Sequence, residues 1–377
     1  MRLTWKCAIS LGLLSLTGTG CEDIADTPTI DAYVVVSNAA GVAGIESRPI
    51  PIRNPETLSN DTLDATFGAT IELTAETRPG QPVEYGGIVT GGEKPRLKVA
   101  KKGTAYVALD NDALVALTTI HHIFVARRHF ESLGMPATAI PKLSVQFFPR
   151  KIETPLLFGQ APITDNAFFA RGLSGFGILR PAVLDSLPLS MNPGVMAHEY
   201  SHAVFSALTE KKQAYRLLFR DFDEGLADVH GAALSGDPRF VGRSVPTSLE
   251  TRDLSVARKY QAELQQAYAE DPYAYGSVVA SVFWSFGARA ERSGVERTKA
   301  LELMARVAFE GLRDVDVPTS TDLAEVPLRG GNVRDFLEAR LWRVFESKAT
   351  TLGHRREFCE SVVASITKKA AVEGVCP

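Results

Sequence analysis

Blocks of like charge, low-complexity tracts, fixed-period repeats and a second long apolar run are all missing from this chain. Without a basic patch there is no electrostatic footprint for nucleic acid, and without a charge run there is no solvated tail. The 41 Lys and Arg are interspersed with 44 Asp and Glu, for a net charge of −3. Cysteine is scarce too, four residues in 377. Cys7 lies in an N-terminal leader and Cys21 directly follows it, which leaves Cys359 and Cys376, too few for a cysteine-based zinc site. Any metal must therefore rest on His and carboxylates. What is present is ordinary globular composition, 45% hydrophobic and 23% charged, with length enough for a substantial core.

Residues 1–20 read as a signal peptide. Arg2 and Lys6 supply positive charge, Cys7–Leu16 a short apolar core, and Thr17–Gly20 the small residues before a cleavage point. That core is about half the ~20 residues a membrane-spanning helix needs, so the segment is a leader and not an anchor helix. Gly18-Thr19-Gly20-Cys21 resembles the lipobox of bacterial lipoproteins, although Gly18 stands where those proteins usually carry an aliphatic residue. The resemblance implies export, a lipid on Cys21 and anchoring to the cell envelope through it, with residues 21–30 as a tether. Plain secretion is the alternative. In an exported chain Cys359 and Cys376 are expected to pair as a disulfide.

Residues 31–109 read as β-rich. Short β-branched runs (YVVV at 33–36, ATIEL at 69–73, AYVAL at 105–109) alternate with Pro, Gly and Asn clusters. The role of residues 22–109 is open between a retained β-domain, which their shortness favours, and a removable propeptide. Asp110 opens a helical pattern that runs to about Leu133, and 143–148 and 166–170 read as strands. After Asn192-Pro193 the pattern is mostly helical. Strands followed by helices predict an α+β fold, with a catalytic subdomain over 110–240 and a helical subdomain over 241–377.

The chemistry concentrates in two segments. VMAHEYSHAVFSAL (195–208) contains His198, Glu199 and His202 as H-E-x-x-H. On a helix, positions i and i+4 share a face, so both imidazoles reach one ion while Glu199 stands ready as general base. FDEGLADVHGAAL (222–234) places Glu224 and Asp228 one helical turn apart, with Glu224 following His202 by 22 positions. Zinc in catalytic sites takes three protein ligands, and two His with one Glu is such a set. Glu224 supplies the third ligand, and Asp228 is placed to accept the spare ring N–H of a ligating His. His121, His122 and His129 read as satisfied helix residues, and His230 should point away from the ion.

HEYSH followed by EGLAD resembles the gluzincin metallopeptidases, closest in wording to the thermolysin and fungalysin families. The resemblance implies a zincin-like architecture over about 110–285: a twisted sheet, an active-site helix and a helical C-terminal part. It further implies one zinc ion on His198, His202 and Glu224, and Glu199 taking a proton from the water that the ion activates. A peptide substrate would add as a strand along Asn166-Ala167-Phe168-Phe169. Those families carry a downstream His that steadies the oxyanion, and the comparable stretch here, 273–284, contains none. Its Y-x-x-G wording is similar to the gluzincin aminopeptidases, which makes Tyr273 the first candidate for that role and Tyr275 the second. The expected function is a zinc-dependent peptidase; its strand points to an endopeptidase and its Tyr-type oxyanion group to an exopeptidase. No N-terminus-reading acidic motif is evident before the zinc helix, which tilts the expectation to endopeptidase. The alternative is a zinc-binding but inactive surface lipoprotein that serves as a scaffold. Calcium is left open: Asp110 and Asp112 lack the EF-hand spacing.

Overall fold

The computed structural model describes residues 28–38, 41–76, 84–153, 165–181, 187–209, 212, 215–246, 252–264, 268, 271–329, 331–366, 369, 372 and 374–376. The expected signal peptide and Cys21 lie outside these, as does most of the tether. In chain order the strands are β1 (Ile30–Ser37), β2 (Ala43–Ile50), β3 (Leu63–Phe67), β4 (Thr70–Glu76), β5 (Glu84–Thr90), β6 (Val99–Lys102), β7 (Ala105–Ala108), β8 (Leu143–Phe147), β9 (Lys151–Glu153), β10 (Ala167–Ala170) and β11 (Gly175–Ile178). One long helix, α1 (Asn111–Ser132), interrupts them. The second half is helical: α2 (Pro193–Thr209), α3 (Arg216–Ser235), α4 (Phe240–Ser244), α5 (Pro272–Arg292), α6 (Arg297–Asp314), α7 (Ser320–Leu328), α8 (Val333–Thr351) and α9 (Arg355–Ile366). The fold is α+β, β-rich first and helical after.

The strands form three sheets, ordered β2-β1-β7-β6, β10-β11-β8-β3 and β5-β4-β9. The β-rich N-terminal segment does not stand apart. β3 pairs in parallel with β8, Leu63 opposite Leu143, and β4 pairs in parallel with β9. β10 closes one edge of the second sheet, antiparallel to β11, and α2 packs against it.

Local chemistry sets where the two central helices begin and how closely they lie. Asn192 caps α2: its side-chain oxygen accepts the N–H groups of Gly194 and Val195, and Pro193 follows at the first helical position. α3 runs to Gly236, which takes a left-handed φ of 68° as its terminator. Two glycines on α3 decide its approach to its neighbours. A Cβ on Gly231 would meet the Phe240 ring at 2.6 Å and the Gly194 carbonyl at 2.7 Å. One on Gly225 would meet the Gly276 carbonyl of α5 at 2.5 Å. Backbone contact on both sides thus draws α2 and α5 onto α3.

Behind α2, Phe130 stacks on Tyr200 at 5.9 Å and meets the His230 ring at 4.5 Å. A second aromatic cluster, Phe222, Tyr275, Phe283, Trp342 and Phe345, seats α3 and α5 on α8. Cys359 and Cys376 are disulfide-bonded, their Cα atoms 5.3 Å apart, which ties α9 to the C-terminal residues.

The histidines on α1 are satisfied inside the core. His122 Nε2 lies 3.1 Å from the Met191 carbonyl, and His129 Nε2 lies 3.0 Å from His230 Nδ1. Burial pushes His122 down to about 3 and His129 to about 4. Both are neutral in the fold, whereas the unfolded chain takes up protons once the pH drops below 6.5. Stability from these groups is therefore full above pH 6.5 and is lost on acidification, at about 1.4 kcal/mol per pH unit per group. Urea titrations at pH 7, 6 and 5 should show a falling midpoint; a constant midpoint contradicts the prediction.

Candidate metal centre

α2 presents His198 and His202 on one face, and α3 brings Glu224 to meet them. His198 Nε2 lies 3.1 Å from His202 Nε2 and 3.3 Å from Glu224 Oε2. His202 Nε2 is 3.9 Å from the same oxygen. All the ligand atoms of this trio fall within 4.8 Å of one another.

The outer ring nitrogens are already committed. His198 Nδ1 is 2.9 Å from Asp228 Oδ1, and His202 Nδ1 is 3.0 Å from Asp223 Oδ1. A carboxylate oxygen thus stands beside each Nδ1, placed to take an Nδ1–H when the ring binds an ion through Nε2, while Arg252 Nη2 also lies 3.3 Å from His198 Nδ1. Glu224 Oε2 and Asp223 Oδ1 are buried with no hydrogen-bond partner among the described residues. Two inward imidazole nitrogens and one orphaned carboxylate oxygen make a cation-binding donor set, and the residues present fit a metal.

Electrostatics point the same way. Glu199, Asp223, Glu224 and Asp228 surround the imidazoles, with Arg252 as the guanidinium among them. Burial alone would lower His202, yet Asp223 and Glu224 lift it to about 10. His198 is raised against its burial by Asp228 and Glu224. Asp228 resists its own burial because Arg252 holds it at about 2. Metal uptake at this site must therefore displace protons from the imidazoles.

Glu199 is set beside the trio and outside it. Its Oε1 is 4.0 Å from His198 Nε2, and its Oε2 accepts the Phe169 N–H of edge strand β10 at 2.7 Å. Burial raises its carboxyl above the usual range, against the pull of both imidazoles.

The two tyrosine candidates separate. Tyr273 stands in the first turn of α5, near enough to Glu224 for that carboxylate to push its phenol above the usual range. Tyr275 is fully buried, and its hydroxyl donates to Glu338 on α8, so it has no access to the trio. His230 lies against His129, away from the ligand atoms, as its place on the helix suggested.

Two residues of the site were not anticipated. Asp223 mirrors Asp228 on the second imidazole; its only signal was the adjacent acidic pair Asp223-Glu224. Arg252 donates through Nε to Asp228 Oδ2 at 3.2 Å and through Nη2 to Oδ1. A lone Arg 24 positions beyond Asp228 carries no local pattern to betray it.

Asp228→Asn should weaken metal binding by about 10–100-fold, because the amide cannot serve both His198 and Arg252 as acceptor. Competition against a chromophoric chelator measures this. Unchanged affinity contradicts the orienting role. No known family profile matches the chain, and no curated protein aligns with it significantly.

Proposed function

We propose that this chain is a zinc-dependent peptidase of gluzincin type, with zinc on His198, His202 and Glu224. The observation that carries the reading is the meeting of these three donors, with a carboxylate oxygen 2.9 Å from Nδ1 of His198 and another 3.0 Å from Nδ1 of His202, beside Glu199, which stands outside the trio. Imidazole with one carboxylate oxygen is a donor set that suits zinc, and three protein ligands leave a position open. A zinc ion held there supplies Lewis acidity, bringing the pKa of water toward neutrality and polarising a carbonyl.

The protein's own groups supply the rest. Glu199 accepts the proton of the attacking water and returns it to the leaving amine. Tyr273 donates its phenolic hydrogen to the oxyanion that develops at the attacked carbonyl. Asp223 and Asp228 keep the ligand rings in register. β10 is the edge strand of its sheet among the described residues, and in this reading an extended peptide pairs along it beside Glu199. An edge that binds the middle of a chain favours endopeptidase action.

Export, with which the disulfide agrees, and a lipid on Cys21, which rests on the lipobox wording of the sequence, complete the proposal. Among the described residues no helix is long and apolar enough to cross a membrane.

The direct test is cleavage of denatured protein and of quenched peptides, stopped by a chelator and restored by zinc. A metal-loaded chain that cleaves nothing would replace the peptidase with a zinc-binding scaffold. Tyr273→Phe should lower kcat by about 10²-fold with metal content intact. Steady-state kinetics check it, and an unchanged kcat would remove Tyr273 from the mechanism.

A further inference from the structure

We infer that Arg252 is a positioning residue: it clasps Asp228 with one edge of its guanidinium and holds the Tyr273 ring with its face. The effect on rate rests on the peptidase reading above; the contact itself does not.

Tyr273 needs something to hold it. Its backbone is fixed, because Asp271 caps α5 and accepts the Tyr273 N–H at 2.9 Å, with Pro272 between them. Its side chain is 40% exposed, and its hydroxyl has no hydrogen-bond partner among the described residues. A tyrosine so placed could swing about χ1 into solvent. What lies against the ring is the Arg252 guanidinium, its carbon 4.7 Å from the ring centroid.

That guanidinium is itself immobile. Nε and Nη2 reach the two oxygens of Asp228, a buried carboxylate whose Oδ1 also faces His198 Nδ1. Two parallel bonds fix the plane of the fork, and a fixed plane fixes whatever stacks on it. The contacts run without a gap from the imidazole of His198 through Asp228 and Arg252 to Tyr273. The carboxylate that orients one metal-binding imidazole thus also orients the phenol.

Lysine separates this role from simple charge balance. An ammonium still neutralises Asp228, but it offers neither the fork nor a planar face. If Arg252 only neutralised Asp228, Arg252→Lys would be close to silent.

The test reads the ring directly. The chain is labelled with 3-fluorotyrosine, and the Tyr273 signal among the nine tyrosines is assigned with Tyr273→Phe. In the metal-free protein, Arg252→Lys should shift and narrow that fluorine resonance and leave the others in place. In the zinc-loaded protein, kcat should fall at least about tenfold, with KM and zinc affinity changed less than about threefold. The double variant Arg252→Lys/Tyr273→Phe should be no slower than the slower single variant, since both remove one interaction. Arg252→Gln, which keeps a planar group, is the second variant should lysine fold poorly.

An unmoved fluorine signal overturns the proposal, and so does a double variant whose losses multiply. So does a fall in zinc affinity equal to the fall in kcat, which would mark a purely structural role. If the parent chain cleaves nothing, the peptidase reading fails, and the fluorine shift alone still decides what Arg252 does.

Discussion

Glu199→Gln should abolish peptide hydrolysis while the metal stays bound. The substitution keeps size and shape, and the amide oxygen can still accept the Phe169 N–H that Glu199 Oε2 accepts at 2.7 Å. Neither α2 nor edge strand β10 loses a contact, so the fold should survive. What disappears is the carboxylate that stands beside the trio and outside it, placed to take a proton and return it. Burial raises the Glu199 carboxyl, which makes it a better base than an exposed glutamate once the imidazoles are ligated. Loss of a general base costs typically 10²–10⁴-fold, and here about 10³-fold or more is expected, because one carboxylate serves both proton transfers. Metal content should be unchanged, since Glu199 is not among the three clustered ligands. Activity within tenfold of the parent would contradict the assignment.

Glu224→Ala should have the opposite signature. It removes the one carboxylate oxygen facing both Nε2 atoms, at 3.3 and 3.9 Å, and leaves two imidazoles as the remaining donors. Loss of an outer-sphere partner alone costs about 10–100-fold in metal affinity, so a direct ligand should cost more than about 10²-fold. Activity should fall with occupancy and recover in part at high zinc. Equilibrium dialysis of the variant measures the affinity directly. A variant that holds zinc as tightly as the parent would remove Glu224 from the ligand set. The two variants divide the site, one losing chemistry with metal retained and the other losing metal first.

Much of this site was written locally in the sequence. His198 and His202 needed only a helix to share a face, and Asn192-Pro193 announced where that helix begins. Glu224 and Asp228 were one turn apart on a second helix. Bringing the two helices together depended on Gly225 and Gly231, whose close contacts no periodicity reveals. Other features were illegible for related reasons. Gly175 and Gly177 lie in β11, where glycine admits the Ser144 backbone and the Phe168 ring. The pairing of β3 with β8 joins segments some eighty residues apart, and only tertiary packing selects it. Arg252 was hidden because its meaning lies in Asp228 and Tyr273, which neighbour it only in space. Tyr275 stood second to Tyr273 in the sequence, and what sets it apart is its burial against Glu338.

The central claim is that His198, His202 and Glu224 hold a metal ion. Elemental analysis of purified residues 22–377, prepared without added zinc, tests it most directly. About one zinc per chain is the expected result, lost on chelation and regained with release of protons. A chain that carries no metal and takes none up on titration would contradict the claim.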